Sequence, residues 1–252
     1  MRHLFSRDNG DLLAQLAWAR ALVAFDFDGT LAPIVAARDD AWMRPRTREL
    51  FARLCELYPC AVISGRSRRD VAERLLGAKV RHVVGNHGLE PGGHLPRFEA
   101  EIARARALLT ASLAGVGGVD LEDKRYSIAL HYRRARAKRD ARAAILAAVA
   151  ALPVETRVIL GKLVVNVVPA AAPNKGDALL ELRRQERADT ALYVGDDVTD
   201  EDVFELDQPG RLLTARIGAS RTSAAAYFLR DQAEIDLLLL TLVRLREQSP
   251  RT

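Results

Sequence analysis

The stretch Ala21-Leu-Val-Ala-Phe25-Asp26-Phe-Asp28-Gly29-Thr30-Leu31 decides the fold. Five apolar residues lie between Arg20 and Asp26, with no polar residue alternating among them. That pattern predicts a strand buried on both faces, as a parallel sheet covered by helices on both sides requires. Two other short runs have the same form, Cys60-Ala-Val-Ile63 and Ala191-Leu-Tyr-Val194. Each runs directly into polar chain, at Ser64-Gly65-Arg66 and at Gly195-Asp196-Asp197. Helical patterns surround them at about Leu12–Arg20, Thr47–Tyr58, Arg68–Leu76, Lys175–Arg187 and Gln232–Arg246, with a further strand at Arg81–Val84. Short apolar strands separated by helices imply parallel pairing through right-handed crossovers. The fold class read from this is α/β, a doubly wound, Rossmann-like parallel sheet.

The rhythm changes after the Gly- and Pro-containing stretch Pro91-Gly-Gly-His-Leu-Pro96. An amphipathic helix at about Phe98–Leu113 is followed by strand-like runs at Val119–Glu122 and Tyr126–Tyr132, then by an arginine-rich helix. Two more strands, Thr156–Leu160 and Leu163–Val168, flank Gly161-Lys162, a pair of the type that turns a hairpin. A helix with paired strands, twice over, predicts an α+β module inserted into the first domain. Pro169-Ala-Ala-Ala-Pro173 reads as the return linker. The expected division is a core over residues 1–94 and 172–252 and an inserted cap over residues 95–171.

Composition narrows the function classes. The chain has 252 residues, enough for one or two domains and a core that needs no staples. Two cysteines, Cys55 and Cys60, cannot make a disulfide framework, so a reducing cytoplasm is expected. The longest apolar run, Ala143–Val154, falls short of the roughly 18 residues of a membrane span. The opening MRHLFSRDNGD carries charges where a signal peptide has its apolar stretch. Net charge is +5, with the one dense cluster at Arg133, Arg134, Arg136, Lys138, Arg139 and Arg142. This cluster opens a helix, has no interleaved aromatic for base stacking, and is followed by the apolar Ile145, Leu146 and Val149. A solvated helix face is the reading preferred to nucleic-acid binding. A monomer with neither membrane nor nucleic-acid partner is expected.

Four short elements sit at strand ends or helix starts, where open α/β sheets place their ligands. Asp26 and Asp28 stand two residues apart where a strand ends and Gly29 bends the chain. Adjacent carboxylates raise each other's pKa unless a cation or proton compensates. Ser64-Gly65-Arg66 supplies a hydroxyl, a flexible glycine and backbone N–H groups, a natural phosphate cradle. Lys175, in Asn174-Lys-Gly176, places an ammonium at a helix start. Gly195-Asp196-Asp197-Val-Thr199-Asp200-Glu201-Asp202 puts five acidic residues in seven positions. Hard oxygen ligands of that kind suit Mg²⁺. Each element alone has a bland explanation as a turn, a cap or a solvated charge, and the specificity lies in their combination and order.

In that combination the chain resembles the haloacid dehalogenase superfamily of phosphotransferases. The resemblance implies that Asp26 attacks phosphorus to form an aspartyl phosphate, while Asp28 protonates the leaving oxygen and later takes a proton from water. It implies that Ser64 and Lys175 hold the phosphoryl oxygens. Mg²⁺ would be bound by Asp26, the backbone carbonyl of Asp28, and Asp196, with Asp197 and Asp200 supporting the loop. These roles are coherent physically, because a cation and Lys175 would offset the repulsion between an anionic nucleophile and an anionic phosphate.

Within the superfamily, Gly85-Asn86-His87-Gly88, Glu122-Asp-Lys124, His131-Tyr-Arg133 and Gly161-Lys162 are similar to the motifs of the trehalose-6-phosphate phosphatase family, over about Leu22–Phe228. The likeness implies that Arg66, Asn86 and His87 line the entrance. It also implies that the cap residues Glu122, Lys124, His131, Arg133, Lys162 and Asn166 meet a small phosphosugar. Asn166 stands where the family commonly has glutamate, and it donates as well as accepts hydrogen bonds without carrying charge. Sucrose phosphate or a glycosyl-phosphoglycerate is therefore an alternative substrate. A catalytically idle phosphosugar-binding module is the reading from another class, and the presence of Asp28 argues against it.

Overall fold

The computed structural model describes residues 1–6, 9–35, 38–90, 95–161, 163–206 and 208–248. In chain order it begins with β1 (Arg2–His3), α1 (Gly10–Trp18), β2 (Ala21–Phe25), α2 (Pro45–Leu57), β3 (Cys60–Ile63), α3 (Arg68–Arg74) and β4 (His82–Val84). It continues with α4 (Leu95–Leu113), β5 (Asp120–Asp123), β6 (Ile128–His131), α5 (Lys138–Ala150), β7 (Thr156–Gly161) and β8 (Val164–Pro169). The chain ends with α6 (Lys175–Gln185), β9 (Thr190–Gly195), α7 (Glu201–Phe204), β10 (Leu212–Ile217), β11 (Tyr227–Leu229) and α8 (Glu234–Gln248). It divides into two compact units, residues 1–88 with 174–252, and residues 89–173.

The first unit is the doubly wound α/β core. Its seven strands lie in the order β1-β11-β10-β9-β2-β3-β4, and every pairing is parallel. All five residues of β2 are buried, as its unbroken apolar run requires. Alternate residues serve opposite faces. Val23 and Phe25 join Leu16, Leu50, Phe51, Leu54, Leu238 and Leu242 under α1, α2 and α8. Leu22 and Ala24 join Leu179, Leu182, Val203 and Phe204 under α6 and α7. Helix α2 shows how the helical layer forms: Pro45 at its start is preset for the first turn, and Thr47, Leu50, Phe51 and Leu54 make one buried stripe. Truncating a residue such as Leu54 to alanine would cost about 2–5 kcal/mol.

Strand β2 is flanked by β3 on one side and β9 on the other, and strand order reverses there. Phe25 pairs with both Val62 and Val194, so Asp26, Ser64 and Asp196 emerge at the same end of three adjacent strands. That is the switch point where such sheets bind ligands.

The second unit is a four-stranded antiparallel sheet, β5-β6-β8-β7, with helices α4 and α5. Ile128, Leu130, Val165 and Val167 pack on Ile102, Leu109, Ile145 and Val149 of those helices. Strands β1, β10 and β11 are additions to the sequence reading, which stopped at β9 before the final helix. Helix α4 begins at Leu95, before the Phe98 expected from its pattern. Residues 91–94 of the Gly- and Pro-containing stretch, and Lys162 in the hairpin, lie outside the described residues. Among the described residues, no helix is long and apolar enough to cross a membrane.

Candidate active site

Asp26 is 4% exposed, and its backbone N–H continues the β2–β9 ladder by donating to the Val194 carbonyl. The chain then turns sharply: Ala32 N–H returns to the Phe27 carbonyl, and Gly29 adopts φ +80°. A Cβ at Gly29 would overlap the Asp196 carboxylate, so this glycine permits a close approach as well as a positive φ.

Lys175, the first residue of α6, is 1% exposed. Its helix start is fixed by a capping box between Asn174 and Asp177. Lys175 Nζ lies 3.1 Å from Asp26 Oδ1 and 2.7 Å from Asp200 Oδ1. A buried ammonium requires such partners. Burial alone would lower its pKa, but Asp200 and Asp26 outweigh that and hold it above the ordinary lysine range.

Asp200 is fully buried and its oxygens are heavily used. Besides Lys175, it accepts from the backbone N–H groups of Asp196 and Asp197, each at 2.8 Å, and from the Tyr193 hydroxyl at 2.6 Å. It therefore shapes the acidic loop. Asp197 points elsewhere, accepting from the Val198 N–H at 2.7 Å as a cap of the short turn that follows.

Asp26, Asp196 and Asp200 can each present one oxygen such that the three lie within 4.8 Å of one another. Burial first, then nearby Asp200 and Asp197, push the Asp196 carboxyl up to about 7. Burial likewise raises Asp26 well above the carboxylate range, against the pull of Lys175. Asp196 Oδ1 is buried without a hydrogen-bond partner. Crowded, buried acids with an unused oxygen have the electrostatics of a site built for added positive charge.

Asp28 does not join that group. Its carboxylate takes a forked contact from Arg66, Nε to Oδ2 at 2.6 Å and Nη2 to Oδ1 at 2.7 Å. Ser64 is fully buried at the end of β3, and its Oγ accepts from the Arg66 N–H at 3.2 Å. The Asn86–His87 turn, with both residues at positive φ, locks onto this loop through Asn86 N–H to the Arg66 carbonyl and His87 N–H to the Ser64 carbonyl. Gly65 leaves room for the His87 ring, which an added Cβ would strike.

In the second unit the register groups the expected sugar-facing residues. Ala129 pairs with Glu122 on one side and Asn166 on the other, and His131 lies two residues along the same strand. These residues share the sheet face opposite to the one covered by α4 and α5. His131 Nε2 meets Glu122 Oε2 at 2.9 Å, and Lys124 Nζ donates to Asn166 Oδ1 at 3.4 Å. Arg133 is exposed just beyond β6.

The trehalose-phosphatase family model matches residues 24–232, a span that takes in the whole second unit and most of the first. The chain belongs to that family. A trehalose-phosphate phosphatase of Mycobacterium bovis is 34% identical over 263 residues, covering 95% of this chain and 67% of the relative. A trehalose-6-phosphate phosphatase of Aspergillus fumigatus superposes with TM-score 0.65 at 25% identity, over 97% of this chain and 99% of the other. The C-terminal domain of the Candida albicans trehalose-6-phosphate phosphatase has the same fold, with TM-score 0.75 at 21% identity over 93% and 96% of the two chains.

As a member of the trehalose-phosphatase family, this chain is a phosphatase. Three residues with a part in the site were not read from the sequence. Tyr193 sits inside β9 and looks like any core aromatic, yet its hydroxyl holds Asp200. Arg216 of β10 donates to the Asp196 carbonyl at 2.6 Å. Asp70 of α3 accepts from Arg66 at 2.8 Å and from Arg74 at 2.7 Å. Only Asp70 left a local signal, because it stands four residues from each arginine.

Proposed function

We propose that this chain hydrolyses trehalose 6-phosphate to trehalose and phosphate, with Mg²⁺ as cofactor and Asp26 as nucleophile. The observation that carries this reading is the buried Asp26 carboxylate, 3.1 Å from Lys175 Nζ and grouped with Asp196 and Asp200, in a chain of the trehalose-phosphatase family.

The donor set fits a hard dication. It offers carboxylate oxygens, one of them buried and unpartnered on Asp196, and among the described residues no histidine or cysteine belongs to the group. Asp26 and Asp196 would hold the ion by side chains and Asp28 by its backbone carbonyl, while Asp197 and Asp200 shape the loop. When bound, the ion would offset the charge of the acids and polarise the phosphoryl oxygens.

Asp26 forms the new bond to phosphorus as the bond to the sugar oxygen breaks, and Asp28 gives that oxygen a proton. Asp28 then takes a proton from the water that cleaves the aspartyl phosphate. Ser64 and Lys175 hold the phosphoryl oxygens in both steps, which places preorganised donors where charge develops. Arg66, Asn86 and His87 line the approach to that centre. Residues 1–94 and 172–252 form the catalytic core in this reading, and residues 95–171 recognise the sugar. Glu122, Lys124, His131 and Asn166 meet its hydroxyls, assisted by Arg133 and Lys162. The unpaired Cys55 and Cys60 support activity in the cytoplasm, and we place it on a monomer.

Phosphate release from a panel of phosphosugars with Mg²⁺ tests the assignment. Trehalose 6-phosphate should have the highest kcat/KM. A preference for sucrose 6-phosphate or a glycosyl-phosphoglycerate would move the chain to a related sugar phosphatase and locate the change at Asn166.

A further inference from the structure

The Arg66 guanidinium is only 2% exposed, and a buried cation is tolerated where carboxylates face it. Its donors form a rigid planar fork, so fixing one edge fixes the direction of the others. One edge grips both oxygens of Asp28, at 2.6 and 2.7 Å. The remaining terminal nitrogen, Nη1, donates to Asp70 Oδ2 at 2.8 Å. Asp70 is itself anchored, since its other oxygen accepts from Arg74 Nε at 2.7 Å. Arg74 is held in turn by the backbone carbonyls of Asp39 and Ala41, each at 3.0 Å, and lies over the Trp42 ring at 5.0 Å. A chain of charge-assisted contacts thus runs from the segment at 39–42, through α3, to Asp28.

We propose that Asp70 is a positioning residue for the phosphatase reaction, holding Arg66 in the orientation that fixes the plane of the Asp28 carboxyl. This rests on the assignment of Asp28 as the acid that protonates the leaving sugar oxygen. Arg66 occupies two of the roughly four lone-pair positions of that carboxyl, and the others remain for the proton it delivers. With Asp70 neutralised, the guanidinium loses the contact that sets its angle, and Asp28 moves with it. A displacement near 1 Å at a reacting group can slow a reaction about 100-fold.

The test uses leaving groups that do and do not need the proton. The full-length Asp70→Asn variant is compared with wild type by quenched-flow release of the leaving group in the first turnover, at saturating substrate and Mg²⁺. Trehalose release from trehalose 6-phosphate should slow roughly 10- to 100-fold, and nitrophenolate release from 4-nitrophenyl phosphate should stay within about threefold. Asp70→Glu, which keeps a carboxylate, should recover part of the loss. Equal slowing of both substrates would overturn the proposal, because a merely structural tie has no reason to discriminate. So would no slowing of either while Asp28→Asn remains selective for the sugar phosphate. If Asp28→Asn shows no selectivity, the acid assignment falls and takes the proposal with it, a result distinct from failure at Asp70 alone. Should Asp70→Asn not fold, Arg74→Lys keeps a cation on α3 but loses the Nε contact that anchors Asp70, and the same sugar-selective slowing is expected, with equal slowing of both substrates refuting the proposal.

Discussion

Removing divalent cations should make the folded protein less stable as pH rises, and Asp196 sets the size of the effect. Its carboxyl is raised from 3.8 to about 7, chiefly by burial and then by Asp200 and Asp197. An acid with a raised folded pKa binds its proton more tightly when folded. Its contribution to stability is therefore complete below about 3.8 and is lost as pH climbs through about 7. A rise of about three pKa units, at 1.36 kcal/mol each, sets a ceiling of about 4 kcal/mol. Only about two of those units lie between pH 5 and pH 7, and Asp26 shares the field of Lys175 with Asp196, so the loss expected from Asp196 above pH 5 is on the order of 2 kcal/mol. At about 2–4 °C per kcal/mol for a chain of this size, the chelated protein should lose roughly 4 to 8 °C of Tm between pH 5 and pH 8. Scanning calorimetry after exhaustive chelation measures this directly. Saturating Mg²⁺ should flatten the profile, because the bound ion favours the ionised acids. Asp196→Asn should flatten the metal-free profile as well, by removing the group that titrates. If the metal-free Asp196→Asn profile overlays the wild-type profile, the electrostatic reasoning at this site is wrong.

Other substitutions probe the remaining parts of the site. Asp26→Asn keeps the shape but removes the proposed nucleophile, so phosphate release should fall by several orders of magnitude with Tm unchanged or higher; near-normal turnover would refute covalent catalysis by Asp26. Lys175→Met strips the cation from between Asp26 and Asp200 and should lower stability by about 3–5 kcal/mol in urea unfolding at pH 7. Gly29→Ala should abolish activity and weaken Mg²⁺ binding measured by calorimetry, since its Cβ would overlap the Asp196 carboxylate and its φ is +80°. Lys124→Ala should depress kcat/KM for trehalose 6-phosphate while leaving 4-nitrophenyl phosphate nearly unaffected; equal loss on both would take the sugar-binding role away from Lys124.

How much of this could be read from the sequence follows from which contacts are local. Strands β2, β3 and β9 were plain because each is buried on both faces and carries an unbroken apolar run. Strand β10 contains Thr214 and Arg216, β11 has three residues and β1 has two, so none offers the same pattern. They are held by pairing across the sheet, as with Leu4 N–H donating to the Phe228 carbonyl from the far end of the chain. A segment that depends on a distant partner for its strand geometry leaves little trace in its own residues.

The same distinction divides the site. Asp26, Ser64 and Asp196 were legible because each directly follows a recognisable strand, and strand register alone brings them together. Lys175 could be placed at a helix start, but the short motif around it is equally compatible with an ammonium in water. What settles its state is Asp200, twenty-five positions later and fully buried beside it. Asp28 and Arg66 are thirty-eight positions apart, and nothing in either motif says that one carboxylate will face the acidic group and the other an arginine. That difference in surroundings is what the proposed roles of the two neighbouring aspartates rest on, since one sits beside a buried ammonium and two acids while the other is gripped by a guanidinium. The site's residues are thus written in short motifs, whereas the different surroundings on which the proposed roles of Asp26 and Asp28 rest are set by partners that only the folded sheet delivers.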